Sequence, residues 1–265
     1  MDKGSSLVLN SSARPFIALE SDFHPFEWLS FSSITGVLES PNQSHINRDA
    51  WYEIDYDEDG NLIKIEEDEN GEIIRNKAED SFFFQNAFSM AMLGLDLRYF
   101  HFDFGSTCVW PKRFELGYPF PLIDRVVYQN NIGDYDNLAL FINFKGIYPG
   151  IGQLWLSGYL DEVNVILKSR FWEKARAMFA VQAGTKVYVP FLPFTTASFR
   201  YTKVEPFCYT HHGINYTPWY SHYLSESYTN NGECLGYYLA PNSDELNFEI
   251  KTKAIEYATI GFQYQ

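Results

Sequence analysis

Leu246-Asn247-Phe248-Glu249-Ile250-Lys251 alternates apolar and polar residues without a break. Ala258-Thr259-Ile260-Gly261-Phe262-Gln263-Tyr264 repeats the pattern downstream, and Ala197-Ser198-Phe199-Arg200-Tyr201-Thr202 shows it upstream. A β-strand turns successive side chains to opposite faces, so each stretch predicts a strand with one apolar and one polar face. In a soluble sandwich the apolar face meets a second sheet. In a transmembrane barrel it meets lipid, and the polar face lines the lumen. What the protein does depends on which of these two solutions it adopts.

Composition narrows the choice. The 265 residues carry 19 Tyr and 23 Phe, an aromatic content of 18%. Tyr and Trp favour water–lipid boundaries, where one end of the ring is apolar and the other wet. A net charge of −14 and a pI near 4.8 exclude a nucleic-acid surface, which needs a basic footprint. No apolar run is long enough for a transmembrane helix. Mean hydropathy of −0.26 is compatible with a barrel, since half of each strand faces water. Met1 to Asn10 lacks a basic stretch followed by an apolar one, so no signal peptide is read there. Cys108, Cys208 and Cys234 form neither a metal spacing nor a disulfide framework, although Cys208 and Cys234 border one loop and could pair.

Further strands follow from the same periodicity. Phe16–Asp22 and Trp28–Leu38 predict a hairpin joined through His24-Pro25-Phe26-Glu27. Leu93, Leu95 and Leu97 share a face opposite Asp96 and Arg98, and the phase slips past Tyr99. That slip predicts a turn or bulge near Arg98 to Phe100. Leu138, Leu140, Ile142 and Phe144 predict another strand, turning at Gly146–Gly152 into Gln153–Asp161. Phe171–Ala180 holds good helix formers and predicts the one helix, though Met178–Val189 also reads as a strand. Residues 40–80 are dominated by acids and predict an exposed insertion, and residues 206–236 predict a long aromatic loop. The expected fold is all-β: a single unit over residues 1–265, an antiparallel up-and-down transmembrane β-barrel, partial, of about ten strands, with short turns on one rim and long loops on the other.

Chemical motifs are sparse. Asp55-Tyr56-Asp57-Glu58-Asp59-Gly60, with Glu66 beyond, fits the calcium-loop pattern, but neither flank reads as the helix an EF-hand requires. An acidic hairpin loop is the expectation. His211 and His212 are adjacent, so on a strand they diverge, and His222 lies apart from them. Asp161-Glu162 and Asp244-Glu245 are acid pairs that diverge in the same way, and each is expected to face solvent rather than a cleft. No nucleophile elbow, phosphate loop or dinucleotide motif is present. No catalytic, cofactor-binding or metal residue is therefore assigned. Tyr209, Tyr216, Trp219, Tyr220, Tyr223 and Tyr228 are expected to form an interfacial belt rather than a sugar-stacking surface.

Several stretches also carry a resemblance. Gly133-Asp134-Tyr135-Asp136-Asn137, followed by an apolar strand and then Leu154-Trp155 through Tyr159-Leu160-Asp161-Glu162, resembles the Wzi-type capsule-assembly family of outer-membrane barrels. Phe199-Arg200-Tyr201-Thr202 through Glu205-Pro206 and Tyr209-Thr210-His211 is similar to a signature of that family. So is Gly232 through Leu235-Gly236 to Pro241-Asn242-Ser243-Asp244-Glu245-Leu246. The resemblance implies a non-enzymatic outer-membrane protein that assembles or retains surface polysaccharide. Its partners would be outer-membrane lipid and that polysaccharide, with no nucleic acid and no cofactor. The family's barrel has nearly twice as many strands, so the chain is expected to be a piece of a longer one. The family's sugar-contacting residues do not map onto this sequence. A porin-like channel, and a secreted carbohydrate-binding protein or polysaccharide-active enzyme, remain as alternatives.

Overall fold

The computed structural model describes residues 6–38, 86–111, 117–118, 128, 136–164, 176–210, 228–231, 233–255 and 258–264. Every extended element among them is a strand. Ten strands form one sheet: β1 (Ile17–Phe26), β2 (Leu29–Val37), β3 (Asn86–Leu97), β4 (Phe100–Pro111), β5 (Asn137–Tyr148), β6 (Gly152–Asn164), β7 (Arg176–Tyr188), β8 (Thr195–Val204), β11 (Ser243–Ile255) and β12 (Ala258–Tyr264). A small separate hairpin, β9 (Thr229–Asn230) with β10 (Glu233–Cys234), lies between β8 and β11. All neighbouring pairs are antiparallel, and each large strand pairs with the next in order. The meander expected from the alternation is what the chain forms. Among the described residues β1 and β12 do not pair with each other, so the sheet has two edges.

Turn chemistry explains one rim. β1 and β2 are separated by Glu27 and Trp28, and β3 and β4 by Arg98 and Tyr99, where the phase slip placed a turn. Tyr148-Pro149-Gly150-Ile151 closes β5 onto β6. Ile151 N–H donates to Tyr148 O at 3.0 Å, and Gly150 has φ of 77°. Proline in the second position and a left-handed glycine in the third is the type II arrangement. Pro25 sits within β1, beside the register shift between Phe23 and Phe26, where a strand tolerates a missing donor. The opposite rim carries the long connections, including 205–242 between β8 and β11.

The predicted helix is corrected. Arg176–Ala180 begins β7, paired on one side with β6 and, from Ala180 on, with β8 on the other. The ladder to β6, joined by β8 from Ala180, outweighs the helical preference of Ala and Met, a preference of only tenths of a kcal/mol per residue, about 0.7 at most. Cys208 and Cys234, which border one loop and could have paired, are free thiols, as is Cys108. The acidic segment 40–80, with its calcium-like motif, and residues 211–227, with His211, His212 and His222, lie outside the described residues.

The two faces of the sheet differ sharply. On the inner face Phe88, Val109, Ala139, Phe141, Tyr159, Ala180 and Val204 pack with Leu7 and Val8 and with Cys208, Tyr209, Tyr228, Leu235 and Tyr237 in one buried cluster. The N-terminal segment and the described parts of the connection between β8 and β11 thus fold over the inner face at the long-loop end. On the outer face Leu246, Phe248, Ile260, Phe262 and Tyr264 stay exposed, as do Phe199, Leu154, Leu156, Ile142 and Phe104. No second sheet covers them among the described residues. Cys108 and Trp110 are the exception, buried under Tyr118 in a smaller cluster at the long-loop end.

Candidate functional site

Register brings the inner face together row by row. Met92, Gly105, Phe141, Tyr159, Ala180 and Val204 form a row under the covering segments. The next row toward the turns is polar throughout: Ser30, Gly94, Asp103, Asn143, Ser157, Gln182, Thr202 and Glu245. Beyond it lie Asp96, His101, Lys145, Trp155, Gly184, Arg200 and Asn247. Side chains two apart on a strand share a face, so the polar half of every alternating strand collects here.

Tyrosines hold the covered end. The rings of Tyr159 and Tyr209 are 4.9 Å apart, those of Tyr159 and Tyr228 5.7 Å, and those of Tyr209 and Tyr228 5.9 Å. Tyr209 OH donates to Leu7 O at 2.8 Å and Tyr228 OH to Val8 O at 2.7 Å, tying the N-terminal segment down. Tyr209 N–H donates to Asp161 Oδ2 at 2.5 Å. Burial holds both loop phenols well above the ordinary tyrosine range. It also pushes the Cys208 thiol upward, with Asp161 adding to the effect, and it raises Cys234 to about 11. These thiols stay protonated and are poor nucleophiles at neutral pH.

These positions correct two expectations. Tyr209 and Tyr228 are core residues rather than an interfacial belt; Tyr216, Trp219, Tyr220 and Tyr223 lie outside the described residues. Asp244 and Glu245 diverge, as alternation requires, and neither acid pair is wholly solvent-facing. Asp161 lies inside at the register shift between Leu160 and Glu162, and Glu245 is buried while Asp244 is exposed.

Two polar clusters flank the middle of the inner face. On β3 and β4, His101 Nδ1 lies 2.5 Å from Asp96 Oδ1, and Nε2 lies 2.9 Å from Asp103 Oδ1. The imidazole thus lies between two carboxylates. On β6 to β11 a chain of hydrogen bonds crosses four strands. Trp155 Nε1 donates to Gln182 Oε1 at 3.1 Å, and Gln182 Nε2 donates to Thr202 Oγ1 at 3.1 Å. Glu245 Oε1 accepts from Arg200 Nη2 at 3.1 Å. Its Oε2 accepts from Tyr238 OH at 2.9 Å and from Tyr237 OH. Burial and the Glu245 carboxylate both raise the Tyr237 phenol. Arg200 Nε and Asn247 Nδ2 are buried donors with no acceptor among the described residues.

Chemically, the arrangement offers hydrogen-bond donors, acceptors and charges along one face. No cluster of three or more metal-binding side chains occurs among the described residues. Cys208 and Cys234 are protonated thiols rather than poised nucleophiles. What the face offers is an indole, amides and charges in a row. Sequence reasoning missed this row because seven strands each contribute a single residue; only the register joins them. The available signal was Arg200 and Asn247 on the polar face of their strands, with Trp155 opposite Leu154 and Leu156. Comparison of the chain with known protein families, characterised proteins and solved structures gives no match.

Proposed function

We propose that the sheet is wall of an outer-membrane β-barrel that organises or retains surface polysaccharide and catalyses no reaction. The observation that carries the membrane half is the outer face. Leu97, Phe100, Gly146, Leu154, Thr185, Phe199, Phe248 and Tyr264 form one row across it, polar only at Thr185, and Leu95, Phe102, Phe144, Leu156, Ala183, Tyr201 and Leu246 form the next. A continuous apolar face this wide is far larger than the patches soluble monomers leave in water. Aromatic residues cluster at the short-turn rim: Phe26, Trp28, Tyr99, Tyr148, Tyr188, Phe191 and Phe194. Charge returns outside the band at the other rim, where Lys203 lies between Glu205 and Asp244. An apolar band between an aromatic girdle and a charged rim fits a bilayer. No helix among the described residues is long and apolar enough to cross a membrane, which says nothing of strands.

The polysaccharide half rests on the polar inner face and on the resemblance of residues 120–250 to the capsule-assembly barrels. The tyrosine cluster across the inner face at the long-loop end favours retention over an open channel. Vesicle flotation tests the proposal. The chain, refolded with phospholipid, is expected to float with the vesicles and to resist alkaline wash. Recovery as a soluble monomer without detergent would contradict it.

A further inference from the structure

The row on the inner face supports a more specific assignment, resting on the reading of that face as the lumen side. We propose that Lys145, Trp155, Lys186, Arg200 and Asn247 form a subsite for a carboxylate-bearing pyranose. The indole takes the apolar face of the sugar, and the cations take its carboxylate.

Register supplies the geometry. Lys145 of β5 is directly opposite Trp155 of β6, Trp155 opposite Gly184 of β7, Gly184 opposite Arg200 of β8, and Arg200 opposite Asn247 of β11. Directly opposed side chains sit about 5 Å apart at Cβ, which is roughly the width of a sugar ring. Gly184 has no side chain, and the Trp155 ring occupies that space: a Cβ on Gly184 would meet indole Cζ2 at 2.2 Å. The indole is pinned at its far side by the bond to Gln182. It is only half-buried, so part of it remains open. An aromatic ring carries negative potential on its face, which attracts the positive C–H edge of a pyranose.

Charge makes the site selective. The chain as a whole carries −14, yet Lys145 lies directly opposite this indole, Lys186 diagonal to it and Arg200 one strand beyond Gly184. Glu245 answers Arg200 at 3.1 Å, and Glu249 answers Lys251 at 2.7 Å. Lys145 and Lys186, both half-exposed, have no ion pair among the described residues. Lys186 also lines a depression of about 270 Å³ with Gln153, Tyr188 and Thr196. Arg200 Nε and Asn247 Nδ2 add two buried donors without acceptors, where one hydroxyl or carboxylate oxygen would satisfy an otherwise costly loss. A free phosphate would use the cations but not the indole; a neutral sugar would use the indole but leave the lysines idle.

Calorimetric titration of the full chain in detergent micelles with tetragalacturonate tests the assignment, with maltotetraose as the neutral match. Saturable binding of tetragalacturonate is expected, weakening with salt, and little binding of maltotetraose. The double variant Lys145→Gln/Lys186→Gln should weaken tetragalacturonate binding by about tenfold or more. Trp155→Phe should keep a weakened preference that Trp155→Ala abolishes. Lys203→Gln, on the outer face, should change nothing. Equal affinity for the two sugars, or indifference to the double lysine variant in a protein that still folds, overturns the subsite. Flotation of the same preparations keeps the two readings apart. A chain that floats but binds neither sugar loses the subsite and retains the membrane reading. A chain that binds tetragalacturonate as predicted but never floats supports the subsite and loses the membrane.

Discussion

Tyr209 carries an unusual share of the inner core for a loop residue. Its φ of 68° is left-handed, a conformation that costs a bulky residue about 1–2 kcal/mol. Three contacts offset that cost: its N–H on Asp161, its hydroxyl on the Leu7 carbonyl, and its ring against Tyr159. Asp161→Ala leaves the buried N–H without its acceptor and should cost about 1–3 kcal/mol, whereas Tyr209→Phe loses one hydrogen bond and should cost about 1 kcal/mol. Urea unfolding in detergent would rank the two. The thiols give a pH prediction. Cys234 titrates at about 11 in the folded chain, above the ordinary thiol, so its stabilising contribution is whole below pH about 8.5 and is lost as pH rises through about 11. Cys234→Ala should therefore flatten the alkaline fall in unfolding midpoint. A fall of identical steepness in the variant would count against it. Such residues were not legible beforehand: nothing about Tyr209 or Tyr228 in sequence distinguishes a core ring from a surface one. Their partners, Leu7 and Val8, lie at the other end of the chain.

At the scale of elements, the most legible parts were strands whose two faces differ. Leu246 to Lys251 and Ile260 to Tyr264 could be assigned because a slip of one residue would exchange apolar for polar along the whole strand. β7 was harder. Its Ala177, Ala180 and Ala183 suit a helix as well as a strand, and only the ladders to β6 and β8 decide the matter. Opposite faces make opposite predictions. Phe262→Arg on the outer face of β12 should cost about 2–4 kcal/mol of folding into vesicles, while Gln263→Arg on the inner face should cost little. Chemical unfolding in vesicles measures both. Equal penalties would mean that the two faces share one environment. Gly184→Ala should push the indole off its seat, weaken tetragalacturonate binding and cost about 1 kcal/mol of stability through the lost bond to Gln182.

At the scale of the whole sheet, ten antiparallel strands leave β1 and β12 without a further strand partner among the described residues. Both edges carry the same pattern. Ile17, Leu19 and Phe23 are exposed on β1, and Ile260, Phe262 and Tyr264 on β12. In a meander of an even number of strands the first and last run in opposite directions, so any strand that closes the sheet can keep its apolar face outward. Exposed edges and an exposed apolar face are together unfavourable in water and tolerable in a closed wall in lipid. The tyrosine cluster predicts a low conductance in planar bilayers that rises when Tyr159 and Tyr228 are both replaced by Ala. The central claim is that the outer face meets lipid, and the most direct measurement is accessibility. Single cysteines at Phe248, Ile260 and Phe262, placed in a chain whose own thiols are largely buried, are compared with one at Gln263. The outer three should be silent to a water-soluble thiol reagent in vesicles, and a probe attached to them in detergent should be quenched by nitroxide lipid after reconstitution, while Gln263→Cys reacts and is not quenched. Ready reaction of the outer three with the aqueous reagent, without lipid quenching, would contradict the membrane reading.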